Sequence, residues 1–249
     1  QAQVKLAHPE LARIDGHMVY PVADGATTLD VTFETFSVQA PVTVQDAAVE
    51  RPISFKLDVM PVFMRGGCNT GSCHGAARGK DGFRLSLFGY DLNTALAELT
   101  KKDSDRVHLE KPADSLILQK PTLQQDHEGG ERFKADSWAY RVLHRWIAGG
   151  AQGAAENAPR LERLAISPAE TNFAKHEETI PLTAVAHWSD GTQEDVTPLC
   201  RFRTIVESVA TVDEDGRVTS RSPGNTHIVA FYDNGVTPVQ VIRPMSDLV

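Results

Sequence analysis

Long apolar runs are missing from this chain: no stretch approaches the roughly 20 residues that a membrane-spanning helix requires, so no membrane span is expected. Cysteine is scarce. Three residues in 249 are too few for a disulfide-rich scaffold, and an odd number leaves at least one without an internal partner. Concentrated positive charge is absent as well. The formal net charge is -8, and residues 56–148 hold 14 Lys and Arg against 12 Asp and Glu, so the acidic excess lies in the flanks. A nucleic-acid partner, which calls for a gathered basic face, is not expected. No triad, phosphate-binding loop or paired-carboxylate cleft stands out, so the chain is not expected to be an enzyme. It opens at Gln1 with no initiator Met, basic stretch or apolar signal core, and reads as a mature product or a fragment of a longer protein.

What is present falls into segments. Residues 1–53 read as strands and turns: His17–Val22, the alternating Thr28–Phe33 and the run Val38–Val44, with Asp24-Gly25 as a turn. From 54 to 151 the character changes to short helical signals between glycine-rich loops. Asp58 is placed to cap a helix with Pro61 in its first turn, and Gly66-Gly67 stop it after barely two turns. Asp136 or Ser137 can cap a second helix, whose apolar stripe is Trp138, Val142, Leu143, Trp146 and Ile147, closed by Gly149-Gly150. Residues 152–160 are small and make a linker. Residues 161–249 return to alternation, in Leu182–Trp188, Val209–Val212, Val218, His227–Tyr232 and Val236–Ile242, separated by turn residues, which predicts an antiparallel sandwich. The fold class expected is a multidomain chain: a mainly α domain flanked by β segments, with an all-β immunoglobulin-like sandwich at the C-terminal end.

The chemistry centres on Gly67-Cys68-Asn69-Thr70-Gly71-Ser72-Cys73-His74-Gly75. Two cysteines flank a flexible loop, and a histidine follows the second directly. In covalent haem attachment the thiols add to the vinyl groups, and the adjacent histidine is delivered to the iron as an axial ligand. Haem c attached through Cys68 and Cys73, with His74 on the iron, is therefore the expected cofactor. Four residues separate the cysteines where the usual motif has two, and Gly71 with the flanking glycines makes the longer loop sterically feasible. Two other readings stand beside it: a Cys68–Cys73 disulfide, and a zinc site using both thiolates with His74.

From Asp58 to Ala151 the sequence resembles the cytochrome c-like domains of planctomycete secreted proteins. The resemblance rests on the Cys-x4-Cys-His motif and continues through Gly79–Asp91, Ser115–Thr122, His127-Glu128-Gly129-Gly130 and Trp146–Ala151. Leu161 to about Val241 is similar to a bacterial immunoglobulin-like domain of group 2, through Val209–Asp213 and Gly216–Val218. In such families these modules often precede larger domains.

An electron-transfer haem needs a second axial ligand. His127 is the choice, in a Gly-rich loop before the closing helix, with Gly129 and Gly130 letting the backbone approach the porphyrin. Met60, Met64 and His108 are the other candidates, with core packing the ordinary fate of the methionines and a surface or structural role that of His108. Phe83, Leu85, Leu87, Phe88, Trp138 and Trp146 are candidates for the apolar wall. Cys200 reads as a small buried hydrophobe. The function expected is extracytoplasmic electron transfer to a redox partner protein, in the periplasm or secreted. The alternatives are small-ligand or peroxidatic haem chemistry at an open distal position, and an adhesion or carbohydrate-binding protein with an accessory haem.

Overall fold

The computed structural model describes residues 3–15, 18–49, 52–155 and 157–245. The chain divides into two compact units, Gln1–Pro52 and Ile53–Val249. In the first, β1 (Gln3–Leu6) leads to the hairpin of β2 (Ala12–Asp15) and β3 (Met18–Pro21). His17, where the segment His17–Val22 was expected to begin, lies outside the described residues. The long hairpin of β4 (Gly25–Phe33) and β5 (Phe36–Val44) follows, with β1 on the other edge of β4. Its core is small: Leu6, Ala12 and Val44 are the buried apolar residues described.

The second unit opens with reciprocal capping. The Ser54 side chain accepts a hydrogen bond from the Leu57 N–H, and the Asp58 carboxylate accepts from the Ser54 N–H at 2.7 Å. Ser54, not Asp58, is thus the cap, and the acid reaches back to it as in a capping box. A π-helical turn (Phe55–Val59) runs into α1 (Met60–Arg65), which carries Pro61 in its first turn, where no N–H is needed. Then come α2 (Leu92–Leu99), α3 (Leu116–Gln119) and α4 (Trp138–Ala148). Ser137 caps α4 by accepting from the Tyr140 N–H. Leu143, Trp146 and Ile147 on α4 are buried with Phe55, Val59 and Leu85 in one cluster, and the Trp146 and Phe55 rings stack at 5.4 Å.

Beyond residue 160 the chain is strand: β6 (Leu161–Ser167), β7 (Glu170–Asn172), β8 (Thr179–Pro181), β9 (Thr183–Trp188), β10 (Gln193–Asp195), β11 (Arg201–Thr204), β12 (Ala210–Val212), β13 (Arg217–Ser220), β14 (Gly224–Tyr232) and β15 (Gly235–Arg243). They form sheets ordered β10-β9-β6, β11-β14-β15-β7 and β12-β13-β8. Period-2 alternation puts Ala184, Ala186 and Trp188 of β9 and Ile228, Ala230 and Tyr232 of β14 into a shared core. Leu57 of the opening turn belongs to that same core, and the Tyr232 hydroxyl donates to its carbonyl at 3.1 Å.

The expected fold class is corrected here. Strand accounts for 34% of the structure and helix for 18%, so the molecule is mostly β and no mainly α domain dominates it. The reason is local. Between Gly67 and Gly130 the backbone takes positive φ at Gly67, Gly79, Asp81, Gly82, Gly89, Asp103, Asp105, Leu123 and Gly130, and a residue in the left-handed region cannot continue a right-handed helix, so turns separate short helices here. The longest helix is α4, at eleven residues.

Candidate functional site

Loop 66–75 is closed by its own backbone. Gly67, at φ 70°, reverses the chain after α1, and the Cys68 N–H returns to the Phe63 carbonyl at 2.9 Å. The His74 N–H donates to the Cys68 carbonyl at 2.9 Å, and the Cys73 and Gly75 N–H groups donate to the Thr70 carbonyl at 3.0 and 2.9 Å. Four residues between the cysteines therefore fold into a tight knot rather than an open arc. Gly75 is required by close approach, since a Cβ there would lie 2.2 Å from the Asn69 carbonyl oxygen. Asn69 is buried beneath, donating to the Ser86 carbonyl at 3.3 Å, while its Oδ1 lacks a partner.

Cys68, Cys73, His74 and His127 all line one cavity of about 380 Å³. Phe63, Phe83, Leu85, Leu116, Ile117 and Pro121 supply its apolar wall. That volume lies in the range of small-molecule sites, about 300–1,000 Å³. Both imidazoles are oriented the same way. His74 places Nδ1 3.0 Å from the Phe83 carbonyl, and His127 places Nδ1 2.8 Å from the Gly130 carbonyl. A carbonyl can only accept, so each Nδ1 carries a proton, and in the neutral tautomer this selects it is Nε2 that holds the lone pair. Burial pushes the His74 pKa below the usual imidazole value, opposed by hydrogen bonds to the Phe83 and Lys80 carbonyls, with the charges of His127 and Arg106 lowering it further. Burial pushes the Cys68 thiol up to about 11, although the Arg132 guanidinium acts against this. Lys80 and Glu128, both on the cavity lining, are paired at 2.7 Å and link the segment after His74 to the His127 turn.

The structure sorts the other candidates. Met60 and Met64 are each 2% exposed, inside the core rather than on the cavity. His108 accepts from the Lys111 N–H through Nδ1, off the cavity. Trp146 donates to the Gln152 carbonyl, and Trp138 lies under the Arg65 guanidinium at 5.5 Å. Phe83 and Leu85 do line the cavity, Leu87 does not, and the Phe88 side chain lies outside the described residues. Gly129 makes room for the His127 ring itself: a Cβ there would meet Cε1 at 2.8 Å. Phe63, Leu116, Ile117 and Arg132 were not foreseen as site residues. Phe63 sits on the core stripe of α1, and Arg132 shows no distinguishing local pattern.

Cys68, Cys73 and Cys200 are free thiols, and among the described residues no group of three or more His, Cys, Asp or Glu is gathered to hold a metal ion. The residues here therefore do not suit a bare zinc ion. A haem asks less of the protein, two thiols and two axial nitrogens beside apolar walls, and the cavity lining includes that set.

No protein-family model matches the chain, and no curated protein matches it. Solved structures similar to it include several of the surface-layer protein SbsC. The structure of domains 1–6 is 10% identical over 98% of this chain and 20% of that one, with a TM-score of 0.31. The structure of domains 4 and 5 is 9% identical over 98% of this chain and 70% of that one, with a TM-score of 0.29. The chain spans about a fifth of the length of the first of these. The family resemblance drawn from the sequence is corrected on the chain's own architecture. That architecture is mostly β, no family model matches, and the described residues gather no protein-only metal centre. The chain is not assigned to a cytochrome c-like family with a group 2 immunoglobulin-like domain, and cytochrome and planctomycete fall with that assignment as descriptions of the chain, as does a metal centre made of protein ligands alone. No helix among the described residues is long and apolar enough to cross a membrane.

Proposed function

We propose that the cavity beside loop 66–75 takes one covalently attached haem, and that the protein passes single electrons to a partner protein outside the cytoplasm. The reading rests on this cavity alone, not on family membership. One observation carries it: two free thiols and two imidazoles, each held through Nδ1 by a backbone carbonyl, line the same largely apolar space.

The chain's own residues have separable tasks. Cys68 and Cys73 would hold the group through their sulfurs, as two thioethers made by adding each S–H across a vinyl, with no leaving group and no oxidant required. Burial favours the neutral form of His74, and its Nδ1 hydrogen bond fixes the ring so that Nε2 would be the atom offered to the group. His127 is oriented in the same manner by Gly130. Phe63, Leu85 and Ile117 would give the group an apolar wall. The haem, when bound, supplies an iron that changes oxidation state by one electron, and two histidine ligands would favour a lower potential than histidine with methionine.

The test is a pyridine haemochrome spectrum with the intact mass of protein matured in a host competent for haem attachment. A haem-sized increment that survives denaturation, and disappears in the Cys68→Ser, Cys73→Ser double variant, is expected. Matured protein whose mass is that of the bare chain, or whose two cysteines are joined, overturns the reading.

A further inference from the structure

One cation stands behind the cavity and touches both of the loops that supply its imidazoles. The Arg132 guanidinium places Nη1 3.4 Å from the Gly66 carbonyl, at the entry to the cysteine loop, and Nη2 4.0 Å from Cys73 Sγ. Its backbone N–H donates to the Pro121 carbonyl at 2.8 Å, which fixes the base of the His127 segment. The third contact is with Gly129. A Cβ on that residue would lie 3.2 Å from Arg132 Nη2 and 2.8 Å from His127 Cε1, so the guanidinium and the imidazole share the space that glycine leaves open.

We infer that Arg132 is a positioning residue: it ties the cysteine loop to the His127 turn, so that His74 and His127 are presented to one cavity. The inference rests on the cofactor reading for its consequence, not for its geometry. Among the described residues no ion pair holds this guanidinium, so its hydrogen-bonding capacity goes to backbone and sulfur. A planar fork can engage a carbonyl and a sulfur at once, whereas a lysine ammonium is a single point and can keep only part of the arrangement. His74 has its own anchor in the Phe83 carbonyl and does not depend on Arg132. Among the described residues the His127 ring is anchored to Gly130 in its own turn, and that turn is tied to the cysteine side by Arg132 and by the exposed Lys80–Glu128 pair, so its place depends on these ties more than that of His74 does.

The experiment uses the full chain with Arg132→Ala, Arg132→Lys and Gly129→Ala, each checked for an unchanged melting temperature. In haem-free protein, amide exchange across 127–132 is read against α4. At least tenfold faster exchange in Arg132→Ala, with α4 unaltered and Arg132→Lys in between, supports the clamp. In haem-loaded protein, Arg132→Ala and Gly129→Ala should keep the covalent mass increment, lose the low-spin spectrum and regain it on adding free imidazole. Unchanged exchange together with an unchanged spectrum overturns the inference. Wild-type protein without a mass increment, but with the exchange difference, overturns the cofactor and leaves the clamp standing.

Discussion

At the scale of single residues, His127 and Cys200 show how burial and partners decide what a side chain can do. His127 spends Nδ1 on Gly130 and keeps Nε2. In haem-loaded protein, His127→Ala is expected to convert a low-spin spectrum to high-spin and to open the site to carbon monoxide; an unchanged low-spin spectrum would remove His127 from the site. Cys200 has no exposed surface, and burial pushes its thiol up to about 12, with Asp195 adding to the rise and Arg65 opposing it. At pH 8 its reaction with a disulfide reagent should therefore be limited by opening of the β core. Rapid labelling of the folded protein would contradict that burial.

Elements in the helical region depend on their caps, because none is long enough to be stable alone. Ser137 is the clearest case: its hydroxyl accepts from the Tyr140 N–H and donates to the Lys134 carbonyl at 2.6 Å. Ser137→Ala is expected to cost about 1 kcal/mol, read as a lower urea midpoint at unchanged slope. α4 carries Leu143, Trp146 and Ile147 into the core that also holds Leu85, next to the cavity wall, so the same substitution should loosen the site before it unfolds the chain. The cap was legible as one of two neighbouring residues. The stripe was legible from its 3.6-residue period. The shortness of α2 and α3 was less so, since they end at Thr100 and Lys120, whose φ is negative, and not at a left-handed glycine of the kind that stops α1.

Across the whole second unit, a few contacts join the helical part to the sheets. Arg65 donates to the Pro198 carbonyl at 2.6 Å and to Asp215 at 2.8 Å, and Tyr232 donates to the Leu57 carbonyl from inside the β core. Burial raises the Tyr232 phenol pKa far above its usual value. Above about pH 10 the unfolded chain releases this proton and the folded chain does not, so the native state binds more protons and stability falls as pH rises. The slope from this group approaches about 1.4 kcal/mol per pH unit. Tyr232→Phe should flatten that alkaline loss while lowering neutral stability by about 1 kcal/mol, the worth of its hydrogen bond. Urea titrations of both proteins between pH 9 and 11 check it, and parallel alkaline slopes would show that the phenol does not report the junction.

What the amino-acid order determined alone is local. Alternation in β9 and β14 follows from the two-residue period of a pleated strand, Gly66-Gly67 end α1 where glycine can turn, and Cys68, Cys73 and His74 lie in one loop because they are neighbours in the chain. Tertiary structure decided the rest. It brought His127 to the cavity of His74, sent Met60 and Met64 into the core, set Arg132 against Cys73 and let strand outweigh helix. These outcomes depend on which distant segments pack together, and packing is governed by volume and buried area summed over the whole unit, which no short window of sequence contains.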